Sequence, residues 1–162
     1  MNYLFLAVAS FLAVAVQMIA GNIFFAFGLL DIALIMAAWC AIYRSRVQAL
    51  LFGSFTGLLM DAALGWPLGY NGFGLTLAVF VIGQSWDRFN TAEQPLMRFL
   101  ILAAASLTNS LSMFLLFWIM QRTTSSIFIG SAILQALITS VAGVIFFIVL
   151  ERYKRAHARK AH

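Results

Sequence analysis

Stretches without a single charged residue dominate this chain: 1–30, 47–60, 62–86, 99–121 and 123–150, separated by short charged breaks. A helix crossing a bilayer needs about 20 mainly apolar residues at 1.5 Å each, so several of these windows are long enough outright. Two of them also have room for part of a neighbouring helix. The pattern predicts six spans, at 3–20, 25–43, 47–64, 69–86, 98–120 and 127–150. Each break carries its own chemistry. Gly21 and Asn22 follow the first span, Arg44, Ser45 and Arg46 the second, and Gly65, Trp66 and Pro67 the third; the last two breaks are 87–95 and 122–126. The expected fold is all-α: a polytopic membrane protein with a six-transmembrane-helix bundle. Six spans leave no room for a separate soluble domain, so 1–162 reads as one integral membrane domain with a basic tail at 151–162.

Composition agrees. With 64% hydrophobic and 9% charged residues, 162 residues have too little polar surface for a water-soluble fold. The placement of the ten Lys and Arg residues sets an expected orientation, because basic residues in short loops stay cytoplasmic. In a six-span topology nine of them, Arg44, Arg46, Arg88, Arg98, Arg152, Lys154, Arg155, Arg159 and Lys160, share one side, and Arg122 lies alone on the other. Both termini are therefore expected in the cytoplasm. The first segment lacks a preceding Lys or Arg and a small-x-small site before Gly21, so it reads as a helix of the mature protein rather than a cleaved signal. The one cysteine, Cys40, excludes an internal disulfide and reads as a small buried apolar side chain.

One stretch differs in kind. In GSFTGLLMDAALGWPLGYNGFG (53–74), Gly53, Gly57, Asp61, Gly65 and Gly69 recur at strict four-residue spacing. Positions four apart lie on one helix face, so Gly53 and Gly57 form a groove that ends in a carboxyl group. Such grooves admit another helix backbone, here chiefly a neighbour in the same bundle, with a partner protein's helix as the alternative. Gly65 and Gly69 flank Pro67 and should shape the turn into the fourth span. Counted from the Arg44–Arg46 break, Asp31 and Asp61 lie roughly 14 and 16 residues up their helices, which puts both at roughly 20–24 Å. Gln17, Asn71 and Gln135 fall in the same outer half, and Asn109 nearer the middle. A carboxyl group in hydrocarbon faces protein or water. Two readings follow: a hydrogen-bonded lock between helices, or a solvated cavity that opens outward and holds a ligand. As a lock, Asp61 should tolerate Asn and not Leu.

The 53–69 run and its glycine-rich entry to the next span resemble the signature of the rod shape-determining MreD family, and the Asp31-Ile-Ala-Leu-Ile segment resembles that family's Pro-Asp apolar segment. Leu30 stands where family members often have Pro. The resemblance implies a non-enzymatic component of the cell-elongation machinery in the bacterial inner membrane. It would bind an MreC-like bitopic protein and, through it, MreB filaments and RodA with a class B penicillin-binding protein. Asp31, Gly53, Gly57, Asp61, Gly65, Gly69 and Asn71 become the structural and partner-interaction candidates. A second function class fits the polar outer half, a membrane solute-binding subunit similar in size to the substrate-capture components of vitamin transporters.

Motifs for catalysis, metal or cofactor binding do not occur: there is no HExxH, no GxSxG and no Walker loop. GSFTG at 53–57 has its serine one place too early, and His157 and His162 sit in the tail. The tail reads first as an orientation determinant; its charge, directly after a span, suits anionic lipid headgroups rather than nucleic acid, with a cytoplasmic docking site as the alternative. The 87–98 segment reads as a solvated connector, with Trp86 and Phe89 at the headgroup layer and Trp66 and Tyr70 on the outer side.

Overall fold

A computed structural model of the chain describes residues 3–23, 30–88, 95–120 and 127–158. They form six helices and no strands: α1 Tyr3–Ile23, α2 Ile32–Tyr43, α3 Arg46–Leu64, α4 Tyr70–Arg88, α5 Pro95–Ile119 and α6 Ile127–Ala158. The start of the predicted second span, the connectors at 89–94 and 121–126 and the tail end at 159–162 lie outside the described residues.

Four helices, α1, α3, α5 and α6, are long and apolar enough to cross a membrane. The molecule is an all-α membrane protein. The other two helices depart from that standard for different reasons. At 12 residues α2 is about 18 Å long, short of a hydrocarbon core of about 30 Å. It begins later than its apolar run suggests because Asp31 takes the N-cap position, its side chain accepting from the Leu34 amide. Helix α4 is long enough, but Asn71, Gly72, Gly74, Thr76, Gly83 and Gln84 dilute its apolar character.

The short helix lies in the middle. α2 packs on α1, α3, α4 and α6, and the sequential pairs α3–α4, α4–α5 and α5–α6 close the bundle around it. Its alanines make this possible, since Ala33, Ala37 and Ala38 are fully buried and let neighbours approach from more than one side. One core cluster joins α2, α4, α5 and α6 through Leu34, Leu75, Ile82, Leu102 and Phe147. A second joins α1, α2, α3 and α4 through Leu6, Cys40, Phe52 and Val79, which confirms Cys40 as a buried apolar side chain. Leu4, Phe11, Val47, Phe80, Leu111 and Ile145 point outward, as expected where lipid is the solvent.

Two readings of the ends need correction. Arg98 does not belong to a solvated connector: it is 3% exposed on the first turns of α5, 2.8 Å from Glu151 of α6, with its guanidinium carbon 5.9 Å from the centre of the Trp86 ring. A charge this deep is retained by pairing and by the aromatic face beside it. Nor does α6 stop at residue 150, since it runs unbroken to Ala158, 32 residues and about 48 Å. Pro95 opens α5, where its missing N–H costs no helical bond.

Candidate functional site

Asp61 ends one helix and begins the next. Its backbone carbonyl accepts from the Trp66 amide at 2.9 Å while Gly65, in the left-handed conformation at φ 67°, lets the chain turn out of α3. This is a Schellman-type stop, and it needs a residue without Cβ strain at Gly65. Its side chain reaches across the turn to the start of α4. Oδ2 accepts from the Gly69 amide at 2.8 Å and the Gly72 amide at 3.4 Å, and Oδ1 from the Asn71 amide and the Asn71 side-chain amide, both at 2.9 Å. Four N–H groups thus converge on one fully buried carboxylate, three of them the otherwise unpaired donors of a helix N-terminus.

The glycine groove brings that carboxylate within reach. A Cβ on Gly57 would lie 2.5 Å from the backbone of Asn71 and Gly72, and one on Gly53 would lie 3.2 Å from the Leu75 carbonyl oxygen. The groove is therefore filled by α4 of the same chain, which leaves a partner protein's helix no place on that face. Gly65 and Gly69 shape the turn as expected: both have positive φ, 67° and 106°, and a Cβ at either would meet open space. Gly53, Gly57, Asp61, Gly65, Gly69 and Asn71 are one motif, a locked α3–turn–α4 unit.

Asp31 is held differently. Besides capping α2 through Oδ1, it accepts from the Asn109 side-chain amide on Oδ2 at 3.2 Å, and its own amide donates to the Thr139 hydroxyl at 3.1 Å. Gln17 of α1 secures the same helix start: its Nε2 donates to the Leu30 carbonyl and its Oε1 accepts from the Ile32 amide. Four helices thus meet around one N-terminus. Asn109, expected nearer the middle, lies at the level of Asp31. Its place there depends on Gly74, where a Cβ would collide with the Asn109 side-chain oxygen.

Between these two anchors lies a cavity of about 410 Å³ to which all six helices or their caps contribute. Asp31, Asn71, Asn109 and Gln135 supply its polar surface, and Met18, Met60, Met113 and Trp66 part of its apolar surface. Gln17 lines it as well, so the polar residues expected in the outer half do gather. The two acids part company here. Asp61 is absent from the lining, behind Asn71, whereas Asp31 is on the wall. The lock and the cavity both exist, each with its own carboxylate.

Several contributors carried no signal legible in sequence. Thr139 is one serine or threonine among many until the fold brings it to Asp31. The Thr56 hydroxyl donates to Ser10, whose hydroxyl donates to the Leu6 carbonyl, tying α3 to α1 inside the core. Tyr70 was expected at the headgroup layer; it is instead buried edge-on against Phe117, 4.9 Å between ring centroids. Trp66, also against Phe117, keeps the exposure expected of it. Comparison with protein-family models, with curated proteins and with solved structures finds no match.

Proposed function

We propose that this protein is a non-enzymatic scaffold or regulator of the rod-elongation machinery, resident in the bacterial inner membrane. In this reading all six helices lie in the bilayer, both termini are cytoplasmic, and the Asp31–Asp61 end faces outward. The observation that supports it best is the α3–turn–α4 lock. The 53–69 run that carries the resemblance to the MreD family is a single structural device, in which each glycine and the acid has a separate physical task. Such a device holds two helices and their outer turn in a fixed relation, which suits a platform on which a bitopic MreC-like partner docks. Because the glycine groove is filled from within, the docking surface consists of other helix faces, the short loops and the tail. Through that partner the complex would reach MreB filaments and RodA with a class B penicillin-binding protein. Affinity capture of the full-length protein from cross-linked native membranes tests this, with co-elution of an MreC-like polypeptide as the expected result. Recovery of no such polypeptide from cells that contain one would count against it.

The cavity favours a second reading, a membrane solute-binding subunit. Its volume is within the range of about 300–1,000 Å³ typical of small-molecule sites. Mass spectrometry of the denatured, purified protein distinguishes the two, since a capture subunit carries a small molecule with it.

A further inference from the structure

Among the described residues that line the cavity one is ionisable, the acid Asp31. Asp31 has no cationic partner among the described residues; its carboxylate is held by the Leu34 amide and the Asn109 side-chain amide alone. Two hydrogen bonds leave a carboxylate with acceptor capacity to spare. Asn71, also on the wall, directs its amide N–H to Asp61. Asn109 is 4% exposed and directs its amide N–H to Asp31, and its carbonyl oxygen is buried with no partner. A buried polar atom left unpaired calls for a specific explanation. Here that oxygen belongs to the same amide that donates to Asp31, the acid on the cavity wall.

The size and walls of the space decide what kind of cation fits. A bare metal ion such as calcium takes a close shell of six or more oxygens, and a space of about 410 Å³ with one carboxylate among its described lining residues is too wide to supply that shell. Met18, Met60 and Met113 offer adaptable apolar contact, and Trp66 offers an aromatic face of the kind that attracts organic cations. We propose that the cavity binds a small organic cation, its ammonium or guanidinium head beside Asp31 and its carbon skeleton against the methionines and Trp66. This names the ligand class of the solute-binding reading and does not depend on the scaffold reading.

The test uses the full-length protein in lipid nanodiscs, titrated calorimetrically with 2-phenylethylammonium and with its neutral isostere 2-phenylethanol. The ammonium should bind saturably, and the alcohol should bind roughly tenfold or more weakly, as expected when a charge-assisted contact is lost. Asp31→Asn keeps a good helix cap and removes the charge, so it should weaken the ammonium by roughly tenfold to a hundredfold. Ala132→Phe, at another point on the wall, should abolish binding by occupying the space while thermal stability holds. Discs of phosphatidylglycerol alone and discs that include phosphatidylethanolamine identify the source of the cation. Weaker probe binding in the second assigns it to the lipid headgroup, and equal binding to a free solute. Equal affinity for the alcohol and the ammonium, blocked by Ala132→Phe, would overturn the cation chemistry while leaving a solute site. Wild-type affinity in Asp31→Asn would overturn it too. No saturable binding of either probe would remove the ligand proposal and the solute-binding reading with it.

Discussion

Replacing Asp61 by Asn keeps the side-chain shape and by sequence reasoning should be tolerated; the hydrogen-bond geometry predicts otherwise. All four groups that point at this carboxylate are N–H donors, two on each oxygen. An amide can put its oxygen toward one pair only. Oriented toward Asn71, it satisfies that residue's two donors and sets an NH2 against the amides of Gly69 and Gly72. An unsatisfied buried donor costs about 1–3 kcal/mol, and Gly69 is half-buried while the Gly72 bond is long, so the loss for Asp61→Asn is on the order of 1–3 kcal/mol in total. Asp61→Leu strands all four donors and should cost on the order of 3–6 kcal/mol. For a domain of this size each kcal/mol lowers the melting temperature by about 2–4 °C, so Asn should lower it by roughly 2–12 °C and Leu by more. Tryptophan fluorescence during heating of detergent-purified protein gives the measurement. An Asn variant that melts with the wild type would refute the four-donor account. A proton-carrying role would show as equal loss of function in both variants with stability unchanged.

Other consequences are as direct. Gly57→Ala places a methyl against the α4 backbone and should cost about 1–3 kcal/mol, whereas Leu58→Ala trims a side chain that is 40% exposed and should cost under about 1 kcal/mol in the same melting assay. Gly65→Ala, at φ 67° but with open space around its Cβ, should fall between them at about 1 kcal/mol, through backbone strain alone. Glu151→Gln leaves the Arg98 guanidinium buried without this counter-charge; a loss on the order of 1–3 kcal/mol is expected, below that of a fully buried pair because the Glu151 side chain is 26% exposed. Cysteines introduced at Ser45, Ala92 and the tail should be labelled from the cytoplasm, and those at Asn22, Trp66 and Ser125 from outside, with little background from buried Cys40; periplasmic labelling of the tail in intact cells would contradict the six-span topology.

The number and order of the helices were legible because lipid imposes one rule on every span, a long run free of charge. The turn at Gly65 and Gly69 was legible for a similar reason, since glycine around a proline has few other uses. The groove at Gly53 and Gly57 was visible as a face, yet only the packing of α4 shows what occupies it. Asp31 illustrates the limit of counting residues: an apolar run continues on both sides of it, and the residue nonetheless starts the helix because its side chain can replace a missing backbone acceptor. Arg98 and Tyr70 were misplaced for a shared reason. Their surroundings in sequence are those of a membrane interface, and their partners, Glu151 and Phe117, are tens of residues away. Pairing over such separations leaves no local trace, and the same holds for Asn109 with Asp31 and for Thr139.

Depletion of the protein from a rod-shaped bacterium that encodes it, followed by microscopy of living cells, tests the proposed role most directly. The account predicts that cells lose their cylindrical form and swell toward spheres as the protein is diluted by growth, that wild-type protein expressed in trans restores rods, and that Asp61→Leu at matched membrane abundance does not. Cells that keep dividing as rods of normal width after the protein has disappeared from their membranes would contradict it.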